Sequence, residues 1–141
     1  MNDLYLSKYN ATVRLKDEYK KYGKIIVALD YDDTIFDFHK KGHTYEAVIT
    51  LIKRCNKLGF YVVIFTGSEK EKYDSIREYC ARIGIEITGI NENAFPMNVG
   101  NNGKIYYNVL LDDRAGLDSA FAALLDTVTF AEMMTKPVVG V

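Results

Sequence analysis

The sequence has no tryptophan, two cysteines, two prolines and no long apolar run, and these scarcities exclude several protein classes. Two cysteines, Cys55 and Cys80, cannot build a disulfide-rich scaffold. They also lack the CxxC spacing and the neighbouring histidines of a zinc site, so we expect reduced thiols in the core. The longest apolar runs are about five residues, far below the roughly 20 that cross a bilayer, so we expect no membrane partner.

Neither sign of charge dominates: 18 Lys and Arg face 19 Asp and Glu, for a net charge of −1. This balance disfavours a broad face for nucleic-acid phosphates, so a nucleic acid is a possible but not a favoured partner. The 141 residues suit a single domain, 1–141. The first residues show neither the basic nor the apolar region of a secretory signal, which predicts a cytoplasmic location.

Tyrosine is the abundant aromatic residue, with 11 copies. Tyr19, Tyr73 and Tyr79 occur at apolar positions of predicted helices and are expected in the core. A platform for stacking nucleobases would require several tyrosines exposed together.

Apolar periodicity predicts alternating helices and strands. An amphipathic N-terminal helix over 1–22, closed by Gly23, precedes a core over 24–126. The predicted strands are 24–30, 60–65, 85–88 and 106–111, and the further helices are 45–58, 73–83 and 117–125. This alternation favours a three-layer α/β/α sandwich with a central, mainly parallel, Rossmann-like sheet.

Polar residues follow three of these strands, at the sheet edge where α/β proteins bind ligands. They are Asp30, Asp32, Asp33 and Thr34 after the first strand, Thr66 and Gly67 after the second, and Asp112 and Asp113 after the fourth. So dense a group of carboxylates repels itself unless a cation neutralises it, and an all-oxygen set suits Mg²⁺. We therefore expect Mg²⁺ as the cofactor.

These residue types suit phosphoryl transfer through an aspartyl-phosphate. A carboxylate beside Mg²⁺ stays ionised and can act as a nucleophile, while a second carboxyl two residues on can carry a proton for the leaving group. A strand-end Thr-Gly offers a hydroxyl and backbone N–H groups to the oxygens of a tetrahedral anion, and a lysine would offset their charge.

The strand followed by Asp30-x-Asp32-x-Thr34, the strand ending at Thr66, a lysine and a final Asp112-Asp113 pair resemble the four motifs of the haloacid dehalogenase superfamily. The resemblance implies that Asp30 is nucleophile and metal ligand, and that Asp32 is general acid and base and also a metal ligand. It further implies a loop-steadying role for Thr34, phosphate binding by Thr66 with Gly67, and Mg²⁺ coordination by Asp112 and Asp113.

The third-motif lysine has more than one candidate. Lys104 is the only lysine between Lys72 and the acidic pair, so it is assigned to catalysis and phosphate binding. In a straight strand, at ~3.3 Å per residue, Lys104 would lie about 25 Å from Asp112, so the chain must turn before about residue 108. Lys70 or Lys72 is the alternative.

The motif spacings leave no room for the cap domain that the superfamily usually carries. Thr34 to Thr66 spans 32 positions and Thr66 to Lys104 spans 38, and core elements occupy both. The chain thus resembles the capless branch, whose open sites admit large substrates or are covered by a partner subunit, so a homo-oligomer is possible. Residues 36–44 would form a flap, in which His39 and His43 are expected to be solvated rather than catalytic.

Together these features predict a Mg²⁺-dependent phosphohydrolase that acts on a small-molecule phosphate ester or a nucleotide. One alternative keeps the chemistry and specifies a nucleotidase or a nucleic-acid-end phosphatase, in which Arg114 could contact a phosphate. Another alternative is a regulatory protein that binds phosphate or metal without turnover.

Overall fold

A four-stranded parallel sheet forms the centre of the protein, whose computed structural model describes residues 3–96 and 103–135. In spatial order β3-β2-β1-β4, the strands are β1 (Ile26–Asp30), β2 (Tyr61–Phe65), β3 (Gly89–Ile90) and β4 (Val109–Leu111). Asp30 pairs with Phe65 and Leu29 with Leu111, so the carboxyl ends of β1, β2 and β4 share one edge.

Four helices accompany the sheet: α1 (Lys8–Tyr22), α2 (Glu46–Lys57), α3 (Tyr73–Ile83) and α4 (Leu117–Thr135). Short 3₁₀ turns cover Leu4–Leu6 and Lys70–Lys72. Helix α1 begins where the Ser7 side chain accepts the Asn10 N–H, and it ends at Gly23, whose φ of 74° is left-handed. The helices predicted over 45–58, 73–83 and 117–125 are confirmed, and α4 continues beyond Leu125. The helix predicted over 1–22 begins only at Lys8, because Ser7 caps it, and residues 1–2 lie outside the described part of the chain.

Both faces of the sheet are buried, as expected for a parallel sheet. Side chains from all four helices form one core with Val27 and Leu29 of β1 and with Val62 and Ile64 of β2. On the opposite face Ala28 is also fully buried.

Part of the covering of that opposite face is irregular rather than helical. The Phe95 ring contacts Tyr61, and the Tyr107 ring contacts Phe65, at opposite ends of β2. The predicted α/β sandwich with a parallel sheet is confirmed. Within residues 3–96 and 103–135 there is no cap domain, and no helix is long and apolar enough to cross a membrane.

The third predicted strand, 85–88, was wrong in its position, because Ile85 is bonded to the end of α3 and only the last of these residues pairs with β2. The Ile85 N–H donates to the Cys80 carbonyl, and pairing with β2 begins only at Thr88, whose N–H donates to the Val62 carbonyl. The strand itself is Gly89–Ile90, where a Cβ on Gly89 would lie 2.6 Å from a Glu92 carboxylate oxygen.

The fourth strand is shorter than the predicted 106–111, because Asn108 uses its side chain where a strand would use its backbone. The Asn108 Oδ1 accepts the Ile26 N–H at 2.7 Å, while the Asn108 N–H donates to the Ile26 carbonyl at 2.8 Å. Regular pairing with β1 therefore starts at Val109.

Candidate active site

Three carboxylates meet at the carboxyl edge of the sheet. Asp30 is the last residue of β1, and Asp112 and Asp113 directly follow β4, its parallel neighbour. One carboxylate oxygen from each lies within 4.8 Å of the other two. The acidic residues that the sequence placed at two strand ends are thus close enough to share one cation.

The Thr34 hydroxyl connects the two strand ends. This fully buried hydroxyl accepts the Asp113 N–H at 3.1 Å and lies 3.1 Å from Asp30 Oδ2 and 3.4 Å from Asp113 Oδ1. Its single proton can be donated to only one of the two carboxylates at a time. Thr34 therefore holds the loop after β1 against the loop after β4.

The crowding of these carboxylates changes the affinity of Asp30 for a proton. Burial, a side-chain hydrogen bond to Asp113 and the negative charge of Asp112 raise the pKa of Asp30 from 3.8 to about 7, against a smaller lowering by the Thr34 hydroxyl. A nearby cation would reverse this shift, because it favours the ionised carboxylate. Without a cation, the three carboxylates therefore repel one another.

Asp32 lies beside this cluster in the turn that follows β1. A backbone bridge to Phe36 holds it in place, and it lines the same cavity as Asp30. Burial and the charges of Asp33 and Asp113 raise the pKa of Asp32, while Lys72 and His39 act in the opposite direction. Asp32 thus takes up a proton more readily than a free aspartate does.

The cavity over these residues has a volume of about 340 Å³. Besides Asp30, Asp32, Asp33, Asp112 and Asp113, its walls contain Phe38, His39 and Arg114. It therefore joins an acidic floor to an exposed aromatic ring and two basic side chains.

The flap, residues 36–44, is attached to the site through Asp33. The His39 Nδ1 lies 2.8 Å from Asp33 Oδ2, and the Tyr45 hydroxyl lies 3.3 Å from Asp33 Oδ1. Asp33, Lys40 and Tyr45 all adopt left-handed backbone conformations, which are uncommon for residues with side chains. His39 is exposed, as expected, at 58% of its side chain, and it also has a carboxylate partner and a place in the cavity wall.

The Thr66–Gly67 loop at the end of β2 is held by Asn91, a residue that sequence reasoning missed. Asn91 accepts the Thr66 N–H at 2.9 Å and donates to the Thr66 carbonyl at 2.7 Å. The Thr66 hydroxyl accepts the Ser68 N–H, which leaves its own proton available for another oxygen. The only sequence feature that could have pointed to Asn91 is its position directly after a short apolar stretch, at the start of a loop that contains other asparagines.

Lys104 and Lys72 occupy different surroundings. Residues 104–108 are not in a strand, and Tyr106, two residues beyond Lys104, lines a cavity with Tyr61 at the amino edge of the sheet. The acidic cavity is not lined by Lys104. Lys72, by contrast, lowers the pKa of Asp32 through its charge. Lys72 does not line the acidic cavity either, so both lysines remain candidates for the third-motif role.

The donor set fits a hard divalent cation. All three converging groups are carboxylates, whose oxygens suit Mg²⁺. Asp30 and Asp112 would be ligands, with Asp113 binding directly or through water, while the predicted contact of the Asp32 carbonyl with the metal stays a prediction.

Comparisons with known proteins add information on the fold. No protein-family profile and no curated protein matches the sequence. A solved structure described as a conserved protein coded by a locus from Bacteroides thetaiotaomicron superposes with a TM-score of 0.60 at 19% identity. The match covers 80% of this chain and 99% of that chain, so the two share a fold.

Proposed function

We propose that this protein is a Mg²⁺-dependent phosphohydrolase that cleaves phosphomonoesters through an aspartyl-phosphate on Asp30. The observation that carries the proposal is the meeting of Asp30, Asp112 and Asp113 within 4.8 Å, with Thr34 bonded between the two strand ends. The resemblance of the motifs to the haloacid dehalogenase superfamily supports the same reaction.

In the first step, an Asp30 carboxylate oxygen attacks phosphorus while the bond from phosphorus to the leaving oxygen breaks. Mg²⁺, when bound to the three carboxylates, would supply the positive charge that keeps Asp30 ionised. The half-buried position of Asp30 removes part of its competing hydration.

Asp32 would supply the proton that the leaving oxygen needs. Burial and the neighbouring carboxylates raise its pKa, so Asp32 takes up a proton more readily than a free aspartate does. In the second step, water attacks the phosphorus of the aspartyl-phosphate and Asp32 takes the proton of this water. The products are the alcohol and inorganic phosphate, and both aspartates return to their starting states.

The Thr66–Gly67 loop would bind the other phosphoryl oxygens. The Thr66 hydroxyl retains a proton to donate, and Asn91 fixes the backbone on both sides of this residue. Hydrogen bonds placed before the reaction stabilise charge that develops in the transition state.

The test is a screen of sugar phosphates, nucleotides and 3′- or 5′-phosphorylated oligonucleotides, with Mg²⁺ and with EDTA. We expect hydrolysis only with Mg²⁺ and a loss of about 10³-fold or more in Asp30→Asn, since the amide cannot replace the carboxylate as nucleophile. The matched control is Asp74→Asn, because the Asp74 side chain is 95% exposed on α3. Equal hydrolysis by wild type and Asp30→Asn would contradict the proposal.

The same assay distinguishes the two lysines. We expect Lys72→Gln to lower kcat by roughly 10–100-fold, because it removes the cation whose charge reaches Asp32. Lys104→Gln is assayed beside it, because the order of the motifs assigns this role to Lys104. A larger loss of kcat in Lys104→Gln than in Lys72→Gln would support that assignment.

A further inference from the structure

A second cavity lies at the amino edge of the sheet, away from the acidic site. Its volume is about 530 Å³, within the roughly 300–1,000 Å³ of ligand pockets. Its floor includes Ile26 and Tyr61, the first residues of β1 and β2, whereas Asp30 and Phe65 end the same strands at the opposite edge. The two cavities share no lining residue.

Aromatic rings dominate the walls of this amino-edge cavity. Tyr22, Tyr61, Phe95 and Tyr106 all line it, and the Tyr61 and Phe95 ring centroids are 5.3 Å apart. Tyr22 is 62% exposed, Phe95 41% and Tyr106 39%. Several aromatic rings are therefore exposed together, the condition that a base-stacking surface requires.

Lysine side chains supply positive charge at this edge, and the Glu18 carboxylate that accepts from Asn108 is paired with Arg14. The Lys24 ammonium lies 5.3 Å from the Tyr61 ring centroid and lines the cavity, and the Lys21 ammonium lies 5.2 Å from the ring of Tyr22. No aspartate or glutamate is among the described residues that line the cavity. Lys24 thus attracts an anion here, whereas without a bound cation the carboxylates of the other edge repel one.

We propose that the amino-edge cavity binds a nucleotide, with the base stacked on the exposed rings and the phosphate paired with Lys24. The flat base would gain contact area by stacking on Tyr106 or Phe95. The Lys24 ammonium, which already lies beside an aromatic ring, would then be close to the phosphate attached to that base. The unit can be a free nucleotide or one nucleotide of a single strand, since both present the same chemistry. This site is independent of the proposed phosphatase activity.

The experiment is a titration in EDTA of ¹⁵N-labelled wild-type protein with adenosine 5′-monophosphate, adenosine, inorganic phosphate and a short oligodeoxyadenylate, followed by amide chemical shifts. We expect saturable shifts at Tyr61 and Tyr106 with the monophosphate, and at least about fivefold weaker binding of adenosine and of phosphate. Tighter binding of the oligonucleotide identifies a strand as the source, and equal binding identifies a free nucleotide.

Variants connect the binding to the cavity. Tyr106→Ala and Lys24→Gln should each raise the Kd for the monophosphate by about fivefold or more. Tyr9→Ala and Lys8→Gln, at exposed positions of α1 outside this cavity, should not, and Asp30→Asn should bind as wild type does. Thermal unfolding of every variant shows that the fold is kept. The absence of saturable shifts at the amino edge, or equal affinity in Tyr106→Ala and Lys24→Gln, would overturn the proposal.

Discussion

At the scale of single residues, Asp30 shows the conflict between stability and chemistry. Its carboxylate faces Asp112 and Asp113 at a half-buried position, and its pKa rises to about 7. A residue selected for stability alone would not place a third carboxylate here, because uncompensated like charges destabilise the folded state. This repulsion decreases when a cation binds or when the Asp30 carboxylate is replaced.

This conflict predicts a pH-dependent stability. Because the folded protein binds the Asp30 proton more tightly than the unfolded chain, the free energy of unfolding in EDTA should fall as pH rises from about 4 to 7. Asp30→Asn removes the charge, so it should be more stable than wild type by roughly 1–3 kcal/mol at pH 8, reduced from the full pKa difference by partial exposure.

Urea unfolding at pH 5 and pH 8 in EDTA measures this effect. The advantage of Asp30→Asn should be larger at pH 8, and Asp74→Asn should show no such trend. An advantage that is the same at both pH values, or larger at pH 5, would contradict the electrostatic explanation of the site.

At the scale of elements, Asn108 joins three parts of the fold. Its side chain accepts the Ile26 N–H and donates to a Glu18 oxygen at 2.7 Å, while its carbonyl accepts from Arg14. Asn108 is 6% exposed, so these groups have little water to replace a lost partner. It thereby attaches α1 to the starts of β1 and β4.

We expect Asn108→Ala to lower the free energy of unfolding by about 1–3 kcal/mol, because it leaves the buried Ile26 N–H without its acceptor and removes one donor to the Glu18 carboxylate, which keeps Arg14. Chemical denaturation of Asn108→Ala and wild type checks this value. A loss below about 0.5 kcal/mol would show that the connection contributes little to stability.

Element positions show what could and could not be predicted from the sequence. The helices could be predicted from the spacing of their apolar residues. The two long strands, β1 and β2, could be predicted from their continuous apolar runs, because both strands are buried on each face. The strand Gly89–Ile90 was missed because two residues are too few to show an apolar pattern. The buried Ile85, which is bonded to the end of α3, gave the preceding segment the apolar character of a strand. Asn108 was assigned to a strand because nothing in the sequence shows that its side-chain oxygen, rather than a backbone carbonyl, accepts the Ile26 N–H.

At the scale of the whole molecule, the two edges of the sheet differ in character. The carboxyl edge gathers five aspartates in one cavity, while the amino edge gathers aromatic rings and lysine. The carboxyl-edge cluster could be predicted, since parallel strands bring their ends together and the aspartates directly follow them. The amino-edge cavity could not, because Tyr22, Tyr61, Phe95 and Tyr106 are far apart in the chain and only the fold brings them together.

The most direct test of the central claim is detection of the phosphoryl group on Asp30. Asp32→Asn is mixed with Mg²⁺ and p-nitrophenyl phosphate, whose leaving group needs no proton, then quenched in acid, digested and analysed by mass spectrometry. Without the base that activates water, we predict a phosphoryl adduct on the peptide that contains Asp30, and none when Asp30→Asn is added. Hydrolysis by wild type with no adduct in Asp32→Asn, or an adduct on another residue, would contradict the account.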